Sequence, residues 1–192
     1  MIRPLTPDDF SDVIALGLTV HGEGYLDIAS LTHIYQLGIK NGINAHFVAY
    51  DSDVLVGFRL TYAAGQWPFD PWCSTALWGV NSEDVCYFKS NTLAEHARGK
   101  GLGPKLLAAS VDAAKRQGAK AGIAHLWKES PHNAAVRYFT KAGARLVKEH
   151  PDRWNQAVDN PDYVCVRCGN DCHCIACEML LMFDASPLNN SN

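Results

Sequence analysis

Between the strand-like segment DVCYFKSNTL and the amphipathic helical segment PKLLAASVDAAKRQ, the chain reads AEHARGKGLG, with glycines at 99, 101 and 103. This junction constrains the fold more than any other segment. Its glycines let the backbone turn tightly and come close to a ligand. The helix that begins near Pro104 aims its free N–H groups and the positive end of its dipole at the same spot. Pro104 suits the first helical turn, where a missing N–H leaves no helical bond unmade. An anion, most simply a phosphate, fits such a junction, and so does an ordinary tight strand-to-helix connection. Two nucleotide folds are excluded: no Walker string occurs, and the alternate spacing of Gly99, Gly101 and Gly103 is not G-x-G-x-x-G.

Hydrophobic periodicity sets this junction within the order β-α-α-β-β-β-α-β-α-β-β, without internal repeats. Ile2–Leu5 forms a first strand, and Thr6-Pro7-Asp8-Asp9 supplies a cap, a proline and carboxylates to open a helix through DFSDVIALGL. A second helix, IASLTHIYQLGI, ends at Asn41-Gly42, and AHFVAY and VLVGFRLTYA form a hairpin across Asp51-Ser52-Asp53. Beyond the glycine turn and its helix come the strand AGIAHLW, a short helix AAVRYFTKAG, the strand ARLVKEH and a final strand CEMLLMF. Residues 1–183 read as one domain, with a cysteine-rich hairpin insertion at 155–177, and 184–192 as a flexible tail. The stretch GQWPFDPWCSTALWGVNSED is too rich in Gly, Pro and Ser for one regular element, and it carries three of the five tryptophans. It is either a loop over a site or an aromatic lid on the core.

The 192 residues are 47% hydrophobic, enough for a sizeable core. No apolar run is long enough to span a bilayer, and MIRPLTPDDF lacks the regions of a signal peptide, so a cytoplasmic protein without membrane association is expected. A formal net charge of −3, with cations spread along the chain, argues against a nucleic-acid surface.

Arg98, Gly101 and Gly103 match Arg/Gln-x-x-Gly-x-Gly/Ala, and Leu106 and Leu107 continue the pattern. NAAVRYFTKAGA, from Asn133 to Ala144, matches a second motif: an Asn-containing turn, a short helix and a closing glycine. On both motifs and the element order from residue 2 to about 183, the chain resembles the GNAT superfamily of N-acetyltransferases. The resemblance implies an α/β (α+β) acyl-CoA-binding fold, with a mixed, mostly antiparallel sheet whose splayed central strands are flanked by helices. It implies acetyl-CoA as cosubstrate, held by Leu93, Arg98, Gly99, Lys100, Gly101, Leu102 and Gly103, with Asn133 on the pantetheine arm or serving as a helix cap. An amine acceptor, small molecule or peptide, would complete the reaction, in a monomer or homodimer.

Acetyl transfer to an amine needs a deprotonated acceptor and a proton for the departing thiolate. Glu83 and Asp84, just before the fourth main strand, are the expected base, with His125 and His96 as alternatives. The family's acid is a tyrosine four residues before the closing glycine, where this chain has Phe139. Tyr138 is adjacent, and neighbouring helical residues point about 100° apart, so either the helix register shifts by one and Tyr138 takes that role, or the acid is water or another group. A catalytically silent acyl-CoA sensor and a zinc-knuckle interaction module remain as alternatives.

Finally, CVRCGNDCHCIAC, residues 165–177, holds five of the seven cysteines. In a reducing compartment such clusters are metal ligands or redox groups more often than disulfides. Cys165-Val166-Arg167-Cys168-Gly169 has the form of a metal knuckle, and C-x2-C-x3-C-x-C can close a tetrahedral shell. Structural zinc on Cys165, Cys168, Cys172 and Cys174 is expected, with Cys177 a core thiol and His173 a substitute ligand. Iron, or reduced thiols without metal, are the alternatives.

Overall fold

The computed structural model describes residues 1–155 and 164–183. The expected tail, 184–192, and residues 156–163 of the cysteine-rich insertion lie outside them. Elements follow in the order β1 (Ile2–Pro4), α1 (Phe10–His21), α2 (Ile28–Leu37), β2 (Ile39–Lys40), β3 (Ile43–Asn44), β4 (Phe47–Asp51) and β5 (Val54–Tyr62). Then come β6 (Val85–Leu93), α3 (Leu102–Arg116), β7 (Ala121–Trp127), α4 (Ala134–Lys141), β8 (Arg145–Pro151) and β9 (Ile175–Met182). Among the described residues no helix is long and apolar enough to cross a membrane.

Seven strands form one sheet in the order β1-β4-β5-β6-β7-β9-β8. Every neighbouring pair is antiparallel except β6 and β7, which run parallel. The small β2–β3 hairpin was not expected from the sequence. Asn41 and Gly42 both take positive φ, 54° and 73°, so Asn-Gly closes a hairpin of two-residue strands and α2 stops earlier, at Leu37.

Helix α2 starts at a reciprocal cap: Asp27 Oδ1 accepts from Ser30 N at 2.7 Å while Asp27 N donates to Ser30 Oγ at 2.9 Å. Helices α1 and α2 cover one face of β4 and β5, burying Leu5, Phe10, Leu31, Ile34, Phe58 and Leu60. Helices α3 and α4 cover the opposite face of the sheet, over Phe88, Leu107, Phe139 and Met179.

The tryptophan-bearing loop is a lid on the core. Trp67 donates from Nε1 to Val85 O at 2.9 Å and stacks on Tyr87 with centroids 4.8 Å apart. Trp78, 1% exposed, donates to the buried carboxylate of Glu178 at 2.7 Å. The loop thus caps β6, β7 and β9 on the face opposite α4.

Candidate functional site

Strands β6 and β7 pair only at Val85↔Ala121, Cys86↔Gly122 and Tyr87↔Ile123. Both continue beyond, β6 to Leu93 and β7 to Trp127, without bonding to each other. A bulge helps turn β6 away: its register with β5 shifts between Leu60, opposite Ser90, and Thr61, opposite Phe88. The result is a gap between the central strands that opens just above Tyr87.

At the upper end of that gap lies the glycine turn. Gly99 and Gly101 have φ of +75°, and a Cβ added at either would meet no protein atom within 4 Å. Gly101 is the left-handed N-cap of α3, and the first helical bond there runs from Lys105 N to Gly101 O at 3.4 Å. The N–H groups of Leu102 and Gly103 therefore precede the ladder of the helix and have no intrahelical acceptor. Arg98 donates from Nε to Leu93 O at 3.2 Å, which braces the turn against the end of β6. Lys100 is exposed.

Below the turn, a cleft of about 360 Å³ between α3 and α4 is lined by Pro104, Leu107, Val111, Lys115, Tyr138 and Lys141, among others. Asn133, at the start of α4 with φ 52°, makes no cap hydrogen bond, and Ser130 Oγ instead accepts from Ala135 N at 3.2 Å. The Asn133 Oδ1 is buried without a partner, as is the Asn91 Oδ1 on β6. An open left-handed cradle at a helix N-terminus and unpaired buried amide oxygens fit a long polar ligand with a phosphate end.

The floor of the gap has two faces. On the α4 face, Phe88 is the first β6 residue above the ladder. Its ring lies across Gly122, where an added Cβ would come within 2.7 Å of Phe88 Cζ and 3.0 Å of Cys86 Sγ. The Arg59 guanidinium, from β5, lies 4.6 Å over this ring and donates from NH1 to Tyr138 Oη at 2.5 Å. Phe139 is wholly buried against Phe88. The Phe139 position is thus closed, and the hydroxyl on the α4 side belongs to Tyr138, whose pKa burial raises against the lowering pull of Arg59.

On the opposite face, Tyr87 Oη meets His125 Nδ1 at 3.2 Å, and His125 Nε2 meets the Trp72 carbonyl at 2.9 Å. The carbonyl can only accept, so Nε2 carries the proton and Nδ1 accepts from Tyr87. Burial pushes His125 down to about 4, with nearby Arg153 adding to the effect, and burial pushes Tyr87 up to about 12. Behind them Glu178, fully buried, accepts from Ser74 N at 2.8 Å, Trp78 Nε1 at 2.7 Å and His150 Nε2 at 2.9 Å. These bonds outweigh burial and hold its pKa below the usual carboxylate value.

Glu83 and Asp84 are not at this floor. They sit in a short 3-10 turn at the closed end of the ladder, where Asp84 O accepts from Lys120 N at 2.8 Å and Asp84 Oδ2 pairs with Lys120 Nζ at 2.6 Å. Four residues of strand, about 13 Å at 3.3 Å per residue, separate Asp84 from the opening at Phe88. His96 is exposed beside the turn. The sequence reading missed Arg59, Tyr87 and Glu178. For Arg59 and Glu178 a signal existed: each is a lone charge inside an otherwise apolar strand, VLVGFRLTYA and CEMLLMF.

The four expected cysteines converge. The Sγ atoms of Cys165, Cys168, Cys172 and Cys174 all lie within 4.8 Å of one another. Cys165 and Gly169 exchange backbone bonds of 3.1 and 2.8 Å, and Gly169 takes φ 71°, which folds Cys168 back beside Cys165. Burial raises the Cys172 thiol to about 11 and the Cys174 thiol further, whereas at Cys165 hydrogen bonds from the Arg167 and Cys168 backbone outweigh burial and lower the thiol. Trp127 and Trp154 pack on the cluster, and Trp127 Nε1 stands beside Cys174, where its pull on the thiol is outweighed by burial. His173 is taken by Asp152 at 2.7 Å and Asp171 at 3.2 Å, and Cys177 belongs to the core under α4. The knuckle also reaches the turn after α1: a Cβ on Gly22 would lie 3.3 Å from Val166 Cγ1.

Solved structures share this architecture. Ribosomal-protein-S18-alanine N-acetyltransferase from Escherichia coli superposes with a TM-score of 0.65 at 12% identity, over 98% of this chain and 97% of that one. Ribosomal-protein-alanine N-acetyltransferase from Brucella melitensis gives 0.66 at 17% identity, over 95% and 99%. The Salmonella typhimurium protein yncA, solved with its cofactor acetyl-CoA, gives 0.64 at 19% identity, over 100% and 98%. No curated protein sequence matches the chain. The sequence profile of the acetyltransferase (GNAT) family matches residues 19–144, more than half of the 192, and together with the splayed strands and the glycine turn this makes the chain a member of the GNAT acetyltransferase family.

Proposed function

We propose that this acetyltransferase moves an acetyl group from acetyl-CoA to a primary amine that enters on the Tyr87–His125 side of the gap. The observation that carries the reading is the gap itself, with an anion cradle at its upper end and a different proton-bearing pair on each face of its floor. Residues 98–103 bind the pyrophosphate, and Asn133 offers its free Oδ1 to the pantetheine amides. Bound there, acetyl-CoA supplies an activated acetyl carbon and a thiol leaving group.

Transfer conserves protons: the amine nitrogen loses one as its bond to carbon forms, and sulfur gains one as its bond to that carbon breaks. Tyr138 holds a proton at Oη on the sulfur side. On the amine side, Tyr87 Oη takes the departing proton while its own passes to His125 Nδ1. The base role expected of Glu83 and Asp84 moves to this pair, because neither carboxylate reaches the gap. A silent acyl-CoA sensor would need neither pair, and their presence favours turnover.

Cys165, Cys168, Cys172 and Cys174 hold one zinc. Four thiolates leave no open coordination position, so the ion is structural and does not activate water. It ties the end of β7, through Trp127, to the turn after α1, and so shapes the amine's entrance.

Release of free coenzyme A, followed with a thiol reagent across a panel of small amines and of peptides with free α-amino groups or lysines, tests the reading. Amine-dependent release with mass-verified N-acetyl product is expected. Tight acetyl-CoA binding with no release for any amine would favour the sensor instead.

A further inference from the structure

Arg59 is 2% exposed, yet no carboxylate pairs with it among the described residues. Its contacts are the face of Phe88, the hydroxyl of Tyr138 and nothing at Nε, which is buried without a partner. An unpaired cation in a buried site is expensive and persists where something negative is to meet it. The titratable and charged groups around it give no such partner. Cys86 of β6 is a thiol that burial pushes up to about 12, and Tyr138 of α4 is neutral. Lys115 of α3 and Lys141 of α4, on the same cleft, are cations. The negative charge must therefore arrive from outside, and the acetyl-transfer reading gives its source: the sulfur that leaves on the α4 side of the gap.

We propose that Arg59 is a positioning residue for the leaving thiolate. Resting on the acetyl-CoA reading above, it holds Tyr138 as proton donor and supplies the positive charge that lets a coenzyme A thiolate form there. The geometry fixes the direction of the donor. Arg59 NH1 gives its hydrogen to Tyr138 Oη, so the phenolic hydrogen points elsewhere, and the same bond stabilises the phenolate that remains once that proton has moved to sulfur. The phenol recovers its proton from solvent through the cleft between α3 and α4, so the group returns to its starting state each turnover.

Product binding tests this without any acceptor. Free coenzyme A and its thiol-free analogue, desulfo-coenzyme A, are titrated into the protein by calorimetry from pH 6 to 9.5. The wild type should favour coenzyme A over the analogue increasingly as pH rises. The midpoint should lie at least about one unit below that of free coenzyme A, a tenfold preference for thiolate. Arg59→Met should return the midpoint to that of free coenzyme A, and Arg59→Lys should keep part of the shift. A bound thiol that titrates in the wild type as it does in water overturns the proposal, whether or not the Met variant folds. So does a succinyl-CoA affinity at least tenfold above that of acetyl-CoA, since Arg59 would then meet an acyl carboxylate. Absence of binding by either compound overturns the acetyl-CoA reading and this one with it.

Discussion

Gly101 and Gly118 stand at opposite ends of α3, and together they separate backbone strain from ligand contact. Gly101 caps the N-terminus at φ +75°, and Gly118 follows the C-terminus at φ +96°; a Cβ on either meets no protein atom within 4 Å. Alanine at each should therefore cost the same kind of energy, the left-handed conformation of a non-glycine residue, about 1–2 kcal/mol. Restricting the unfolded chain gives back about 0.4–1 kcal/mol, leaving a net loss near 1 kcal/mol. For a chain of this size that lowers Tm by about 2–4 °C in either variant. Ligand binding should split them. The Cβ of Gly101→Ala stands on the open side of the turn, where phosphate oxygens approach the N–H groups of residues 101–103, and acetyl-CoA affinity should fall at least tenfold, about 1.4 kcal/mol. Gly118→Ala should bind as the wild type does. Scanning calorimetry measures the first quantity and isothermal titration the second. Equal affinity in the two variants would refute the assignment of the turn.

Three further outcomes are expected. Because burial holds His125 near 4, kcat/KM should show no inflection near pH 6.5 and should rise with pH until the acceptor amine itself titrates; His125→Ala should lower it about 10²- to 10⁴-fold, and a wild-type inflection near 6.5 would count against the pair. Gly122→Ala forces its Cβ within 2.7 Å of Phe88 Cζ, against an ordinary contact of about 3.4 Å, and should destabilise by about 1–3 kcal/mol in urea, with strong non-additivity when combined with Phe88→Leu. Protein purified without chelator should carry about one zinc per chain and lose it in Cys168→Ser, with acceptor KM rising more than the Kd for acetyl-CoA; absence of metal from the wild type would remove the clamp from the account.

Much of the fold was legible because its signals are local. The order of the main strands and helices follows from periodicity and from stop residues such as Gly118 and Gly143, and the knuckle from Cys165, Cys168 and Gly169. What stayed hidden needed distance in space. Glu83 and Asp84 adjoin β6 in sequence, as a base was expected to, but a strand has two ends. Only the pairing Val85↔Ala121 through Tyr87↔Ile123 reveals that theirs is the closed one. The Tyr138–Phe139 question likewise turned on Arg59, 79 positions away from Tyr138, whose hydrogen bond holds the Tyr138 hydroxyl beside the cleft while Phe139 is buried. The β2–β3 hairpin escaped because strands of two residues show no period, although Asn41-Gly42 was a hairpin signal in its own right.

The gap also gives the proposed metal knuckle a task at this place in the chain. Above Tyr87 no ladder bond holds β7 to β6, so the width of the gap is set from the other side of β7. There β9 pairs with it through Leu126↔Cys177 and Trp127↔Ala176, up to the last residue of β7. Cys174 immediately precedes β9, and Ile175 N is further tied to the Glu129 carboxylate at 3.0 Å. A cation that fixes Cys174 relative to Cys165 and Cys168 thereby fixes the free end of β7, while Val166 meets the turn after α1 across the mouth. The glycine turn hangs on β6 and α3, which the knuckle does not touch through any of these contacts. A structural ion can therefore govern the acceptor entrance and leave the coenzyme cradle as it is, the division of labour that the unequal effect of Cys168→Ser on acceptor and acetyl-CoA would reveal.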